Sequence, residues 1–412
     1  MKSNRYIFTL LLMLIASMVS AREELEGYLQ TAAENNPGLK ARFNEYMAAL
    51  EIAPQVNSLP DPQIAFSYFI SPVETRVGPQ QFKISTSQMF PWFGTLKAKE
   101  NVAIQSARAK YEVFLEAKSR LFNDVRSVYY NLYFNRKAIE ITRKNLTILG
   151  TFQKLATIKV EAGKVSAVDE YRIQMEIGDL ENQLALLVDE QHLLKMMFNN
   201  LLNVKPDNQV NTPVTLWTGD IAFEKEQVLD SIRSNNHQLL TISLQQDALS
   251  YRKELAQKMG KPGFSIGIDY TFIGTGADNL PGTDAFLFPM VGITIPLYRN
   301  KYKALVNEVV YFQEAREAEK SDKVNLLETI LEKSWKDYMD AGRRFHLYTS
   351  QLELAGQSLT LLETEYATGN EKFEEILRME RKVLEYGLAL EKARSDKQAA
   401  ISFINYLMGQ SS

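Results

Sequence analysis

Phe264-Ser-Ile-Gly-Ile-Asp-Tyr-Thr-Phe272 decides the fold of this 412-residue chain. Phe264, Ile266, Ile268, Tyr270 and Phe272 point one way, and Ser265, Gly267, Asp269 and Thr271 point the other. Strict alternation over nine residues marks a strand between two different media. It is also about the length a tilted strand needs to cross a bilayer, roughly nine to eleven residues. A half-buried strand in a water-soluble sheet has the same period, so the flanking sequence must decide between the two.

Outward from this strand, a loop over Ile273–Ala285 leads to a second alternating run near 287–295, where Val291, Ile293 and Ile295 alternate with Gly292 and Thr294. The first half of the chain has a matching pair. Ile64–Ile70 and Phe82–Met89 flank the turn-rich stretch Ser71–Gln80, and Phe82, Ile84 and Thr86 alternate with Lys83, Ser85 and Ser87. Pro60-Asp-Pro62 stops the helix expected over residues 24–57.

The correspondence is a repeat. Asn36-Pro-Gly-Leu39 matches Asn236-His-Gln-Leu239, and Pro62 matches Pro262, at an offset of 200. Beyond the strands the offset is 206: Thr95-Leu-Lys-Ala98 matches Lys301-Tyr-Lys-Ala304, and Glu161-Ala-Gly163 matches Ala367-Thr-Gly369. A slip among loops is where insertion is tolerated. Each half therefore reads as helix, two strands, very long helix, turn and helix. The expected organisation is a signal peptide at 1–21, a first repeat at 22–202, a linker at 203–220 and a second repeat at 221–412.

In the long helices Val125, Leu132, Ile139 and Leu146 recur every seven residues, as do Leu331, Tyr338, Phe345 and Leu352. Heptads in both copies predict helices packed side by side along their length. About 65 residues at 1.5 Å each is roughly 100 Å of helix. Gly163 and Gly369 are expected to end these helices.

The N-terminus reads as a secretory leader, with Lys2 and Arg5 before the apolar run Tyr6–Val19 and small residues in Val19-Ser-Ala21. There is no cysteine, which excludes disulfides, thiolate metal sites and a lipidated cysteine. Charge is nearly balanced, 47 Lys+Arg against 50 Asp+Glu, and no basic stripe suggests nucleic acid. Nothing catalytic appears. The three histidines, His192, His237 and His346, lack metal-ligand spacing, and no phosphate loop or nucleophile elbow is present, so no cofactor is expected.

Four alternating strands cannot close a transmembrane barrel, and an open edge in lipid leaves backbone groups unpaired at several kcal/mol each. If these strands are membrane strands, several chains must pool them, and three chains would supply twelve. Aromatic residues gather near strand ends: Tyr68, Phe90, Trp92, Phe93, Tyr270, Phe272, Phe288 and Tyr298. This is the pattern of a membrane-interface belt, and also of aromatics packed at a strand–helix junction.

The chain resembles the TolC-like outer membrane efflux proteins over essentially all of its length past the leader. The resemblance rests on the twofold repeat, on Ser87-Gln-Met-Phe-Pro-Trp-Phe-Gly94 and Ile293-Thr-Ile-Pro-Leu-Tyr298 leaving their strands, and on the two glycine turns. It implies a mainly α fold with a small β part: a homotrimer whose α-helical barrel is capped by a 12-stranded transmembrane β-barrel, four strands per chain. It also implies an outer membrane location with a long periplasmic part. Its partners would be a periplasmic adaptor protein and an inner-membrane transporter, for which it would be a passive exit duct.

Further expectations follow from the resemblance. The turns Ala162-Gly163-Lys164 and Thr368-Gly369-Asn370 would meet the adaptor, although each glycine also serves as a helix C-cap. Asp169 and Glu375, six residues after each glycine, would line the closed entrance, with Arg378 as a latch partner. Ser166-x-x-Asp169 is equally a capping box. Ser85, Ser87, Ser265, Asp269, Thr271 and Thr294 are expected to face the lumen, and Ile266, Ile268, Val291 and Ile293 the lipid. Ducts for protein secretion or for heavy-metal cations share the architecture, and a secreted coiled-coil structural protein is the alternative of another class.

Overall fold

The computed structural model describes residues 23–163, 166–276, 281–367 and 373–410. The expected leader and four turn residues (Lys164, Thr368, Gly369 and Asn370) lie outside the described residues. The elements are α1 (23–35), α2 (Pro37–Leu50), α3 (Ile52–Asn57), β1 (Gln63–Tyr68), β2 (Glu74–Thr75), β3 (Gly78–Phe90), α4 (Thr95–Glu161) and α5 (Ala167–Leu201). Then follow α6 (Lys225–Asn235), α7 (His237–Met259), β4 (Gly263–Ile273), β5 (Ala285–Thr294), α8 (Arg299–Ala367) and α9 (Phe373–Leu407). The chain is mostly helix with a small sheet, and it groups into two compact units.

The helical unit takes the chain up to residue 41 with 115–236 and 324–412. Its core holds Tyr129, Tyr133, Phe198, Leu216 and Ile404, all fully buried. The α4 heptad residues Val125, Leu132 and Ile139 are buried too, as side-by-side helix packing requires. On α8 only Leu331 of the corresponding set is fully buried, whereas Leu347, Leu354 and Leu361, also seven apart, stand more than half exposed.

Two expected helices are interrupted. The one over 24–57 breaks at Asn36 and again at Glu51, and the one over 225–258 breaks at Asn236. The cause is the same in both repeats. Asn36 Nδ2 donates to the carbonyl of Leu201 at the end of α5 (3.0 Å), and Asn236 Nδ2 donates to that of Leu407 at the end of α9 (2.9 Å). Each asparagine leaves the helical path and satisfies a terminal carbonyl that lacks an intrahelical donor. Asn36 Oδ1 also accepts from the Leu39 backbone N–H, so Pro37 begins α2 where a missing N–H costs nothing.

The linker is strapped down. Arg136 donates to the carbonyls of Thr212 (2.5 Å) and Pro213, Arg394 to that of Leu216 (3.2 Å), and Lys397 pairs with Asp220 (2.6 Å).

The sheet unit comprises 42–114 and 237–323. Its sheet is antiparallel in the order β1-β3-β4-β5, so the two repeats meet at the β3–β4 seam, with Ile84 opposite Tyr270 and Ser85 opposite Asp269. The expectation of four strands is corrected by a fifth, two-residue strand. β2 pairs with the start of β3, which begins at Gly78 rather than Phe82. The turn there is tight: Thr75 Oγ1 donates to the Gly78 carbonyl at 2.6 Å. Gly78 has φ 120°, and a Cβ on it would lie 2.2 Å from the Gly274 carbonyl oxygen, so only glycine fits.

Candidate functional site: the sheet faces and the hairpin ends

Register assigns every strand side chain to a face. One face carries Ile64, Phe66 and Tyr68 of β1, Phe82, Ile84 and Phe90 of β3, Phe264, Ile266, Ile268, Tyr270 and Phe272 of β4, and Phe286, Val291 and Ile293 of β5. These apolar side chains are turned to the outside of the unit: Ile64 is 75% exposed, Phe66 67%, Phe286 66% and Val291 64%. A folded unit in water does not leave so large a contiguous apolar face bare.

The face is also banded along the strands. Towards the helices lie Phe90 and Phe264, with Trp92 and Phe93 packed on Phe264 at 6.1 and 6.4 Å. The middle is mainly aliphatic: Ile266 and Val291 lie in one row with Gln88, and Ile64 and Ile268 in the next with Thr86, while Ile293 flanks Phe264 and Ile84 flanks Tyr270. Towards the loops, Phe66 packs on Phe82, and Phe82 stacks on Phe272 at 5.0 Å, beside Tyr68, Tyr270 and Phe286. The eight residue steps from Phe82 to Phe90 span about 27 Å of strand. Aromatic rows at both ends of a mainly aliphatic stretch of this length fit the outer surface of a membrane barrel. Phe288 lies at the β4–β5 register irregularity, and Tyr298, beyond β5, is exposed.

The opposite face holds Ser85, Ser87, Ser265, Asp269, Thr271 and Thr294 together. The sequence reasoning did not identify the partner of Asp269. Lys83, diagonal to it across the β3–β4 seam, forms an ion pair with Asp269 Oδ2. The alternation had placed Lys83 on this face, and the register brings it to the acid.

The ends of the long helices form the second candidate region. Gly163 sits at φ 65°, its N–H donating to the Val160 carbonyl, and a Cβ there would meet nothing within 4 Å. The conformation, not lack of room, requires glycine. Ser166 caps α5 by accepting from the Val168 N–H at 3.2 Å. Asp169 lies in the first turn, 3.5 Å from Arg172, which reaches across to Glu374 of α9 at 3.2 Å. Arg381 binds Glu176 at 2.7 Å, a second tie between α5 and α9. Neither tie was found from sequence, since the partners lie about two hundred residues apart. Glu375 is half-buried and Arg378 exposed.

Beneath these pairs is an apolar cluster that includes Phe152, Ile173, Tyr366, Phe373, Ile376 and Leu377. Lys159 Nζ stands 3.3 Å above the Tyr366 ring. One carboxyl is buried here. Glu380, 1% exposed, accepts from Asn145 Nδ2 at 2.9 Å, while its Oε1 has no protein partner. Burial raises its pKa above the ordinary glutamate value. The nearby charge of Glu363 adds to the rise, and the Asn145 hydrogen bond and Lys144 oppose it.

The sequence model of the family described as outer membrane efflux protein matches residues 28–193. That match covers less than half of the 412-residue chain. Among solved structures, this chain is similar in fold to the outer membrane protein VceC of Vibrio cholerae. The TM-score is 0.77 at 16% identity, covering 94% of this chain and 96% of that one. The open state of the MtrE outer membrane channel of Neisseria gonorrhoeae gives 0.75 at 14%, covering 94% and 89%. The CmeC outer membrane channel of Campylobacter jejuni gives 0.75 at 12%, covering 94% and 86%. No curated protein matches this chain by sequence. Among the described residues no helix is long and apolar enough to cross a membrane, and no cluster of His, Cys, Asp or Glu could hold a metal.

Proposed function

We propose that this chain is one third of an outer membrane exit duct, serving a tripartite efflux system in which a periplasmic adaptor and an inner-membrane transporter supply cargo and energy. The observation that carries the reading is the sheet. Its outward face is apolar and banded by aromatics, yet β1 and β5 each keep one unpaired edge among the described residues. In hydrocarbon those edges must be paired, because each unsatisfied backbone group costs several kcal/mol. Joining β5 of one copy to β1 of the next closes the sheet, and three copies give twelve strands around a polar lumen lined by Ser85, Ser87, Ser265, Asp269, Thr271 and Thr294. The exposed seven-residue ladder Leu347, Leu354 and Leu361 suits packing of α8 against a neighbouring copy.

In this reading the repeats 22–202 and 221–412, joined by 203–220, each contribute one strand pair and one long helical hairpin. Ala162-Gly163-Lys164 and Thr368-Gly369-Asn370 would receive the adaptor. Asp169, Glu375 and Arg378 would lie at the closed entrance, which opens by repacking of helices. Tyr68, Phe90, Trp92, Phe93, Tyr270, Phe272, Phe288 and Tyr298 would mark the two interfaces.

Two measurements test this. Protein extracted from membranes in mild detergent should migrate as a heat-modifiable trimer and show threefold particles by electron microscopy; a monomer would sink the reading. In planar bilayers, Glu375→Ala combined with Arg378→Ala should raise single-channel conductance, and an unchanged conductance would remove these residues from the entrance.

A further inference from the structure

The end of the sheet unit nearest the helices carries an excess of positive charge that the duct reading leaves unexplained. Three segments converge there. The end of α7 reaches the start of α4, since Lys258 Nζ donates to the Phe93 carbonyl at 3.3 Å. It also lies against the start of α8, since a Cβ on Gly260 would stand 3.3 Å from Cβ of Tyr302. Residues 95–103, 256–264 and 296–304 together hold seven basic side chains (Lys97, Lys99, Lys258, Lys261, Arg299, Lys301 and Lys303) and one acid, Glu100. At the opposite end, the described segments 69–80, 273–276 and 281–285 hold one basic residue, Arg76, against Glu74 and Asp284.

Most of the basic groups are not used within the fold. Lys97 pairs with Glu100, and Lys258 with Glu254. Lys99, Lys261, Arg299 and Lys303 are exposed, with no ion-pair partner among the described residues. Their placement works against local stability. Neither α4 nor α8 has an acid in its first turn, and cations at a helix N-terminus oppose the macrodipole. Directly beside them stands the aromatic row Phe90, Trp92, Phe93 and Phe264, with Leu297 and Tyr298 largely exposed. Basic side chains adjoining an aromatic row at the edge of an apolar band sit at head-group depth, where anionic lipids attract them.

We propose that this basic collar binds the anionic head groups of phospholipids in the leaflet on the helix side of the membrane. The proposal rests on the outer membrane reading above. The collar holds the barrel at a fixed depth and gathers acidic lipid around it in preference to zwitterionic lipid.

The test uses the full chain and Lys99→Gln, Lys261→Gln, Arg299→Gln and Lys303→Gln combined, each reconstituted into vesicles of four parts phosphatidylethanolamine to one part phosphatidylglycerol. Mass spectrometry then counts the lipids retained by the extracted oligomer. The unaltered protein should retain phosphatidylglycerol several-fold above its share of the vesicle, and 0.5 M salt in place of 0.05 M should reduce that enrichment. The variant should still form the heat-modifiable oligomer but retain phosphatidylglycerol at the vesicle ratio. Equal enrichment in protein and variant, or no enrichment in either, overturns the collar while leaving the duct intact. Failure of both to enter vesicles overturns the duct reading and the collar with it.

Discussion

The helical unit and the sheet unit place their large apolar side chains in opposite directions. Around α4 and α5, Tyr129, Tyr133 and Phe198 lose all contact with solvent. In the sheet most residues of the same kind stand outside, while Asp269, paired with Lys83, is buried. A single chain thus obeys two solvents. Where water surrounds the fold, apolar side chains gather within. Where hydrocarbon is the intended surroundings, the outer face is apolar and the polar groups gather on the other.

Substitutions can break this contrast or sharpen it. The largest effect belongs to the helical core: Phe198→Ala should lower stability by ~3–5 kcal/mol in thermal unfolding of the detergent-solubilised protein. Next comes the pair that tests inversion. Ile266→Lys, in the middle of the aliphatic band, should cost ~2–4 kcal/mol and reduce the yield of heat-modifiable oligomer in lipid vesicles. Ser85→Lys on the other face should leave that yield nearly unchanged. Equal losses from the two would end the claim that the faces meet different media.

The smallest effect sharpens the helical side. Glu380 has a raised pKa because it is buried, so the folded state holds its proton more tightly than the unfolded one. Native stability therefore grows as pH falls through the raised value towards the ordinary glutamate range, and is penalised above it. Glu380→Gln keeps an acceptor for Asn145 and removes the charge. Its melting temperature should exceed that of the unaltered protein at pH 8, with the difference shrinking towards pH 5.

Much of the fold was legible in the sequence because it rests on periodicity. Alternation in Phe264–Phe272 and Phe82–Ser87 gave the two faces, and the heptads gave the long helices. The helix breaks at Asn36 and Asn236 were missed because the amphipathic pattern continues through them. The matched asparagines were visible as landmarks of the repeat, but their role depends on carbonyls about 170 residues away. The ties from Arg172 to Glu374 and from Arg381 to Glu176 escaped for the same reason. β2 was missed because two residues are too few to show a period.

The β3–β4 seam has a consequence for biogenesis. Ile84 must find Tyr270, so the sheet stays in two pieces until most of the polypeptide exists, and it is complete only once residue 294 of 412 has been added. Until then the early hairpin waits with a sticky flank and no mate. The strand order therefore leaves a half-built sheet open to aggregation for most of the time the polypeptide takes to emerge.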